Sequence, residues 1–347
     1  MRYIDGGVCA SKGFKATGLN AGIKNNVKKD MALVFSEMPC AKAGTFTTNR
    51  VCAAPVKWDK KVVFESKSAQ AIVVNSGIAN ACTGEEGYEK CREMAAKTAE
   101  KLGIDEDAVL VASTGVIGKQ LPMDIIGKGI DRLPGQLGET AADAALAAEA
   151  IMTTDTKSKQ VAVEFEIEGT MVHIGGMCKG SGMIHPNMAT MLCFITSDAA
   201  VDEKLLQNMV RAIVDDTFNM ISVDGDTSTN DSVLLLANGM AGNKKIENEN
   251  SAGYKEFYDA LFYILCELSK KIAGDGEGAT CLFEVQMKNV KTKADAKILA
   301  KSVITSNLTK AAIYGHDANW GRILCAMGYS GVDFDPEKVD ICLLYTS

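Results

Sequence analysis

A threonine at the start of an apolar segment is the residue of this sequence whose position best suits nucleophilic chemistry. Thr190 lies in the run His185-Pro186-Asn187-Met188-Ala189-Thr190-Met191-Leu192, directly behind a proline turn. A threonine hydroxyl without an adjacent base is a poor nucleophile, whereas an amino-terminal threonine can use its own α-amine as the base. The chemistry of this segment therefore depends on whether the chain cuts itself between Ala189 and Thr190.

The loop Ser113-Thr114-Gly115-Val116-Ile117-Gly118 follows the apolar run 109–112 and is expected at the carboxyl end of a strand. Ligands of open sheets bind in such loops. The Gly115 backbone N–H and the Thr114 hydroxyl are two donors that could hold a developing oxyanion. Spacing alone favours a simpler interpretation, a plain turn capped by Ser or Thr.

Two charged residues stand in glycine-rich loops where a substrate could reach them. Lys179, in Cys178–His185, could bind a carboxylate or a developing negative charge. Glu277, in Asp275–Thr280, could bind an amino group of a substrate or of the nucleophile itself. Lysines and turn carboxylates are usually solvated, so each residue taken alone is better explained as ordinary surface charge.

The segment 311–322 collects amide, carboxylate, indole and guanidinium groups in one short loop before an apolar helix or strand. Arg322 could anchor a substrate carboxylate through a pair of parallel hydrogen bonds. A structural ion pair with Asp317 or Asp224 explains its presence equally well. The sequence leaves both interpretations open.

Composition argues against several classes of function. The 347-residue chain carries a formal net charge of −7 and no basic block, which disfavours nucleic-acid binding and an anionic-membrane patch. Eleven scattered cysteines without CxxC spacing, and only three histidines, indicate buried free thiols rather than disulfides or a metal site. No apolar stretch is long enough for a signal peptide or a membrane span, which predicts a cytoplasmic protein.

The elements that must position these residues are predicted to be a mixture of strands and helices. Apolar runs rich in β-branched residues predict strands at Met31–Phe35, Ala71–Asn75, Ala108–Ala112, Val161–Ile167, Met171–Ile174, Met191–Thr196, Val233–Ala237 and Leu282–Met287. Helical spacing predicts helices at Glu86–Leu102, Asp124–Leu133, Gly138–Met152, Asp202–Phe218 and Tyr254–Ile272. Consecutive strand-like runs between residues 160 and 196 favour an α+β layered sandwich over a doubly wound parallel sheet. The glycine-rich segment Glu168–Met188 is the best candidate for a boundary between two structural halves.

In this order, the motifs resemble those of the ornithine acetyltransferase family of arginine biosynthesis, also called bifunctional glutamate N-acetyltransferase/amino-acid acetyltransferase. The resemblance runs from the amino terminus to about Asp340, and the block around Thr190 is its most specific part. The matching segments are Ala43–Asn49, Asn75–Gly84, Ser113–Gly118, Lys179–Leu192, Gly225–Ser232, Asp275–Thr280 and Asn319–Leu324.

The resemblance implies an α/β protein with a four-layer αββα-type sandwich, similar to the DmpA-like fold. It also implies self-cleavage between Ala189 and Thr190, into an α chain of residues 1–189 and a β chain of residues 190–347. The two chains stay together and pair further into a heterotetramer. Family members continue past Asp340 with a strand-rich tail that residues 341–347 do not fit, so we expect that the carboxyl-terminal part of the β chain is missing.

Carried over by matching position, Thr190 is the nucleophile, and Thr114 and Gly115 form the oxyanion hole. Thr153, Lys179, Thr190 and Glu277 match the family's substrate-binding positions. The implied reaction moves acetyl from N2-acetyl-L-ornithine to L-glutamate through an acetyl-Thr190 intermediate, in ping-pong order. The resemblance implies no metal or organic cofactor, and it leaves open whether acetyl-CoA is also a donor.

Two other functions are compatible with the same residues. An amino-terminal-nucleophile aminopeptidase or amidase, in which water accepts the acyl group, would share Thr190 and the oxyanion hole. An uncleaved, non-catalytic protein that binds an amino acid would keep the fold without processing at Thr190. Lys179, Glu277 and Asn319–Arg322 favour the transferase over the hydrolase.

Overall fold

The computed structural model describes residues 1–24, 27–185 and 191–345. In these ranges the backbone forms nine strands and nine α-helices. The strands are β1 Arg2–Ile4, β2 Phe14–Leu19, β3 Met31–Phe46, β4 Ala69–Ile78, β5 Val109–Val116, β6 Lys159–Ile167, β7 Thr170–Lys179, β8 Leu192–Ser197 and β9 Ser232–Ala237. The helices are α1 Ala54–Glu65, α2 Gly84–Leu102, α3 Met123–Arg132, α4 Ala141–Ala150, α5 Glu203–Asp216, α6 Tyr254–Ala273, α7 Lys293–Thr305, α8 Asn307–Tyr314 and α9 Trp320–Gly328.

The long strand β3 belongs to two sheets. Its first part pairs antiparallel with β2 and β4, and its second part, Ala41–Phe46, pairs antiparallel with β9. A register shift between Phe35 and Cys40 interrupts the ladder, and Pro39 lies inside this interruption. Proline has no backbone N–H to donate, so it suits the point where a strand leaves one sheet for another. The first sheet has the order β1-β6-β7-β8-β9-β3, and the second has the order β2-β3-β4-β5.

Two groups of helices cover the two sheets and make four layers. On β8 and β9, Leu192, Phe194, Leu234 and Leu236 share a core with the second sheet, whereas the residues between them share a core with α5 and α6. Helices α1 and α2 pack against β5 on the second sheet. The predicted αββα sandwich is confirmed. Because the central strands are buried on both faces, they carry near-continuous apolar runs.

Seven of the predicted strands and all five predicted helices are present, but Leu282–Met287 is not a strand. Phe283, Val285 and Met287 alternate as predicted and pack, half-buried, against the small core formed by α7 and α9. No described strand pairs with this segment. Alternation reports a buried face, and it carries no information about a hydrogen-bonding neighbour.

The segment Glu168–Met188 is not a boundary between two independent halves. Strand β7 lies inside it and pairs with β6 on one side and β8 on the other. Strands from both sides of residue 189 therefore share the first sheet. Close packing, and not a domain boundary, explains a glycine in this segment. A Cβ on Gly175 would lie 1.8 Å from the Gly7 carbonyl oxygen, so the strand needs glycine where another backbone approaches it.

The cysteines are free thiols, and the prediction that they are buried holds for only some of them. The buried ones are Cys9, Cys40, Cys91, Cys178 and Cys193, whereas Cys82, Cys281, Cys325 and Cys342 are exposed. The exposed thiols lie in loops or on the outer side of α9, where no sheet covers them. Among the described residues, no helix combines the length and apolar character needed to cross a membrane.

Candidate active site

The carboxyl ends of β5 and β7 meet at one edge of the two sheets, where Thr114 and Lys179 come into contact. The Lys179 ammonium donates a hydrogen bond to the Thr114 hydroxyl oxygen, with 3.3 Å between Nζ and Oγ1. Lys179 also pairs in register with Leu192 at the start of β8. Residues from three strands of distant sequence position thus converge at this edge.

The contact prepares the Thr114 hydroxyl to act as a donor. A hydroxyl has one hydrogen to donate and can accept on its lone pairs, so accepting from Lys179 leaves that hydrogen available. Gly115, the next residue, has φ +129°, and a Cβ there would lie 2.2 Å from the Gly77 carbonyl carbon. Only glycine therefore fits, and its exposed backbone stands beside the Thr114 hydroxyl. The pair has the composition of an oxyanion hole, and the interpretation as a plain capped turn does not account for the lysine.

Lys179 is not a solvated loop lysine. Its side chain is buried, with 8% of the residue exposed, and burial lowers the pKa of its ammonium despite the opposing charges of Asp155, Asp231 and Glu277. A buried ammonium has lost most of its hydration, so it binds an anion more strongly than a surface lysine does. The site therefore offers a desolvated positive charge next to a polarised hydroxyl.

A buried carboxylate, Asp155, holds the loops around Lys179 together. Its Oδ1 atom accepts from the Gly180 N–H at 2.7 Å and from the Lys159 ammonium at 2.7 Å. Its Oδ2 atom accepts from the backbone N–H of Thr153 at 2.9 Å. Burial alone would raise the pKa of Asp155, but the charges of Lys179 and Lys159 outweigh burial and lower it. Thr153 is thereby brought to the same site as Lys179.

Asp275 closes this buried network from the other side. The Lys159 ammonium donates to its Oδ2 atom at 2.5 Å, and Thr156 donates to its carboxylate through both the backbone N–H and the hydroxyl. The side chains of Lys159, Asp155 and Asp275 are each at most 3% exposed. Separating a buried ion pair leaves an uncompensated charge, which costs several kcal/mol. The loops that carry these three residues are therefore held in position.

Glu277 lies over the loop that follows Lys179. Its backbone N–H donates to the Ser181 carbonyl oxygen at 2.9 Å. A Cβ on Gly182 would lie 2.3 Å from the Glu277 Oε1 atom, so the missing side chain at Gly182 makes room for this carboxylate. Glu277 is exposed to solvent, which lets it meet a soluble amine. The structure thus brings Thr114, Gly115, Thr153, Lys179 and Glu277 into one region.

The segment Pro186–Thr190, with the predicted cleavage residues Ala189 and Thr190, lies outside the described residues. The residues that flank it are well anchored. On the amino side, Thr227 donates through its hydroxyl to the His185 carbonyl oxygen at 2.8 Å. On the carboxyl side, the Ser232 N–H donates to the Met191 carbonyl oxygen at 2.9 Å.

Arg322 makes a hydrogen bond that links two helices. Its Nη1 atom donates to the Leu308 carbonyl oxygen at 2.9 Å, between α8 and α9. Among the described residues it pairs with neither Asp317 nor Asp224, so the predicted ion pair is wrong. The Asp224 carboxylate is already used by the backbone N–H groups of Met183 and Ile184.

Sequence reasoning assigned no role to the buried residues Asp155, Lys159, Asp275 and Asn230. Of these four residues, only Lys159 could have been noticed in the sequence, because it is a charged residue at the start of an apolar strand. In residues 1–24, 27–185 and 191–345, no group of three or more His, Cys, Asp or Glu could hold a metal ion. The absence of a cofactor stays a prediction.

The model of the ArgJ family matches residues 15–346 of this chain. The chain belongs to the ArgJ family. It is 56% identical over 346 residues to the arginine biosynthesis bifunctional protein ArgJ of Symbiobacterium thermophilum, an overlap of 99% of this chain and 85% of that protein. It is 50% identical over 345 residues to the glutamate N-acetyltransferase of Methanocaldococcus jannaschii, an overlap of 99% and 83%.

Two solved structures resemble this ArgJ-family chain. The ArgJ protein of Bacillus halodurans superposes with a TM-score of 0.52 at 43% identity, over 54% of this chain and 98% of the solved chain. The ornithine acetyltransferase of Mycobacterium tuberculosis, complexed with ornithine, superposes with a TM-score of 0.51 at 40% identity. That overlap covers 54% of this chain and 99% of the solved chain.

Proposed function

We propose that this ArgJ-family chain is an acyltransferase of arginine biosynthesis that moves an acetyl group from N-acetylornithine to glutamate. The observation that carries the proposal is the hydrogen bond from the buried Lys179 ammonium to the Thr114 hydroxyl, beside the Gly115 backbone. Acyl transfer needs donors aimed at the oxygen of a tetrahedral intermediate, and this pair supplies a polarised hydroxyl and a backbone N–H. Relatives named ArgJ and glutamate N-acetyltransferase support the same reaction.

The charges of the site suit both substrates. N-acetylornithine and glutamate each carry an α-carboxylate, for which the desolvated Lys179 ammonium is the complementary group. Ornithine also carries an amine, which the exposed Glu277 carboxylate can bind. Thr153 lies near Lys179 because Asp155 binds the Thr153 backbone N–H and also the Gly180 N–H, and its hydroxyl is a further candidate for substrate binding.

The proposed nucleophile is Thr190, activated by cutting the chain before it. The Thr190 hydroxyl attacks the Ala189 carbonyl, and the N-to-O shift breaks the peptide bond, frees the α-amine of Thr190 and leaves an ester. Water then hydrolyses this ester, which releases the Ala189 carboxylate and restores the Thr190 hydroxyl. The freed amine takes the hydroxyl proton as Thr190 attacks the acetyl carbonyl of N-acetylornithine, and ornithine leaves. The amine of glutamate then attacks the acetyl-Thr190 ester and leaves as N-acetylglutamate.

The lengths of the two solved chains support cleavage. An overlap of 54% of 347 residues corresponds to about 187 residues, close to the length of the segment 1–189. The relatives matched by sequence instead cover 99% of this chain. We further propose that the two products, residues 1–189 and 190–347, stay paired through the shared first sheet and assemble as a heterotetramer.

The experiment is an intact-mass spectrum of the purified protein, followed by an assay of acetyl transfer from N-acetylornithine to glutamate. We expect two fragments that separate at Ala189-Thr190, together with transfer activity, and neither in Thr190→Ala. An uncut chain whose Thr190→Ala variant keeps the activity would overturn the proposal. Release of free acetate instead of N-acetylglutamate would favour the amidase. A second assay, with acetyl-CoA in place of N-acetylornithine, tests whether the protein accepts both acetyl donors.

A further inference from the structure

Asn230 is a buried amide that binds the ends of two strands of the second sheet. Its Nδ2 atom donates to the Ala79 carbonyl oxygen at 2.6 Å and to the Ser113 carbonyl oxygen at 2.7 Å. Carbonyl oxygens only accept, so the amide is oriented with its NH₂ group between them. The Thr229 hydroxyl donates to Oδ1 at 2.6 Å and completes the hydrogen bonding of the amide. Both hydrogens of the Asn230 amide are therefore used on main-chain carbonyl oxygens at the ends of β4 and β5.

The next residues in the chain hold the strand that follows Thr190. The Ser232 N–H donates to the Met191 carbonyl oxygen at 2.9 Å. The tripeptide Asn230–Ser232 therefore reaches the end of β5 through Asn230 and the neighbour of Thr190 through Ser232. Its length fixes the separation between these two parts of the site.

We propose that Asn230 is a positioning residue that sets the oxyanion-hole donors against the nucleophile strand. The inference rests on the proposed function. Asn230 does not touch the reacting atoms; it acts through the Ser113 carbonyl, which belongs to the peptide unit that ends at the Thr114 nitrogen. Oxyanion donors must lie within a few tenths of an ångström of their working position, and a misplacement of about 1 Å costs roughly 10²-fold in rate.

The end of β5 has support on one edge only, because among the described strands β5 pairs with β4 alone. Gly115 and Val116 are exposed, and Gly115 holds a positive φ that only glycine adopts readily. Ala79 and Ser113 also precede the proposed cleavage site, whereas Asn230 follows it. After cleavage these two hydrogen bonds would join separate polypeptides, and no covalent bond close to the site would replace them.

The test compares Asn230→Ala with Asn243→Ala. Asn243 is a matched control because it is equally buried, at 7% exposure, and its Nδ2 atom also donates to main-chain carbonyl oxygens, those of Lys244 and Ala200. We expect Asn230→Ala to lower kcat about 10- to 100-fold with both KM values within about threefold of wild type. Asn243→Ala should leave kcat within about twofold. Asn230→Asp, which replaces the two donor hydrogens by an acceptor, should lose at least as much activity as the alanine variant.

A second measurement separates this inference from the proposed function. Hydrogen exchange of peptides covering residues 109–118 should become about tenfold faster in Asn230→Ala and stay unchanged in Asn243→Ala. If the wild-type protein transfers no acetyl group, the proposed function fails, and the exchange comparison still decides whether Asn230 holds the end of β5.

Equal kcat values for the two alanine variants would overturn the inference, and so would unchanged exchange at 109–118 in Asn230→Ala. Should Asn230→Ala fail to fold, Thr229→Val removes only the hydroxyl that orients the amide. We then expect a fall in kcat of about three- to tenfold and faster exchange in the same peptides. Wild-type values in Thr229→Val would also overturn the inference.

Discussion

The ammonium of Lys179 lies 3.3 Å from the hydroxyl oxygen of Thr114, and the two residues belong to different sheets. Lys179 ends β7 of the first sheet, and Thr114 lies near the end of β5 in the second. The contact therefore holds a buried ammonium and a hydroxyl at a fixed separation. In the proposed function, Lys179 binds the substrate carboxylate and Thr114 stabilises the oxyanion, so both roles meet at this junction between the sheets.

Thr114→Val tests the oxyanion donor, because valine keeps the shape of threonine and removes only the hydroxyl. We expect kcat to fall about 10²- to 10³-fold, with KM nearly unchanged, since the lost hydrogen bond forms in the transition state. Thr114→Ser keeps a hydroxyl and should retain most of the activity. Steady-state kinetics of acetyl transfer provide the measurement, and an unaltered kcat in Thr114→Val would remove Thr114 from the oxyanion hole.

Lys179→Met tests the anion-binding charge while filling the same buried space. A hydrogen bond between charged groups contributes about 1.5–3 kcal/mol, so KM for both substrates should rise by roughly 10- to 100-fold. Burial lowers the pKa of the Lys179 ammonium, so this group loses its proton at a lower pH than the usual 10.5. As the pH is raised, the substrate affinity of the wild-type protein should therefore begin to fall before pH 10.5 is reached. The pH profile of kcat/KM measures both effects. An alkaline loss of affinity that persists in Lys179→Met would assign the titration to another group.

Gly182→Ala tests Glu277 without mutating it. The added Cβ would lie 2.3 Å from the Glu277 Oε1 atom, and a flexible side chain can move where a backbone atom cannot. We expect the carboxylate to be displaced by about 1 Å, so that KM for the amine substrate rises with little change in stability. Gly135→Ala is the control, because no atom lies within 4 Å of the added Cβ and no positive φ strains it. Equal KM values in the two variants would argue against amine binding by Glu277.

Asp155→Asn tests the buried network through the pH dependence of stability. The folded-state pKa of Asp155 is lowered, because Lys179 and Lys159 outweigh the effect of its burial. The stabilisation by this carboxylate is therefore present above its unfolded pKa of about 3.9 and is lost as the pH falls through the lower folded value. We expect Asp155→Asn to reduce the free energy of unfolding by about 3 kcal/mol at neutral pH, with the deficit shrinking below about pH 4.

Urea denaturation across this pH range gives the comparison. Asp333→Asn, at an exposed carboxylate, is the control and should change stability by less than about 0.5 kcal/mol. A deficit in Asp155→Asn that stays constant from pH 7 to pH 3 would show that the asparagine variant loses packing and not charge.

Secondary structure was largely readable from the sequence, because hydrophobic periodicity reports which face of an element is buried. The runs 71–74 and 233–237 are continuous and apolar, whereas Glu164 and Glu166 interrupt the run 161–167, and each of the three lies inside a strand. Leu282–Met287 shows the limit of that signal. Its alternation is real, yet strand formation also needs a neighbour, and the choice of neighbour is a property of the whole fold.

The sequence by itself determined the types and order of the groups that can do chemistry: Thr114, Gly115, Lys179 and Glu277 stood out in glycine-rich loops. Only the tertiary structure decided that Lys179 is buried, that Asp155 and Asn230 bind main-chain groups of distant segments, and that Arg322 bonds a main-chain carbonyl of α8. The physical reason is that these contacts join residues far apart in the chain. Spacing along a sequence sets local periodicity, whereas distances between remote side chains are set by how the sheets pack.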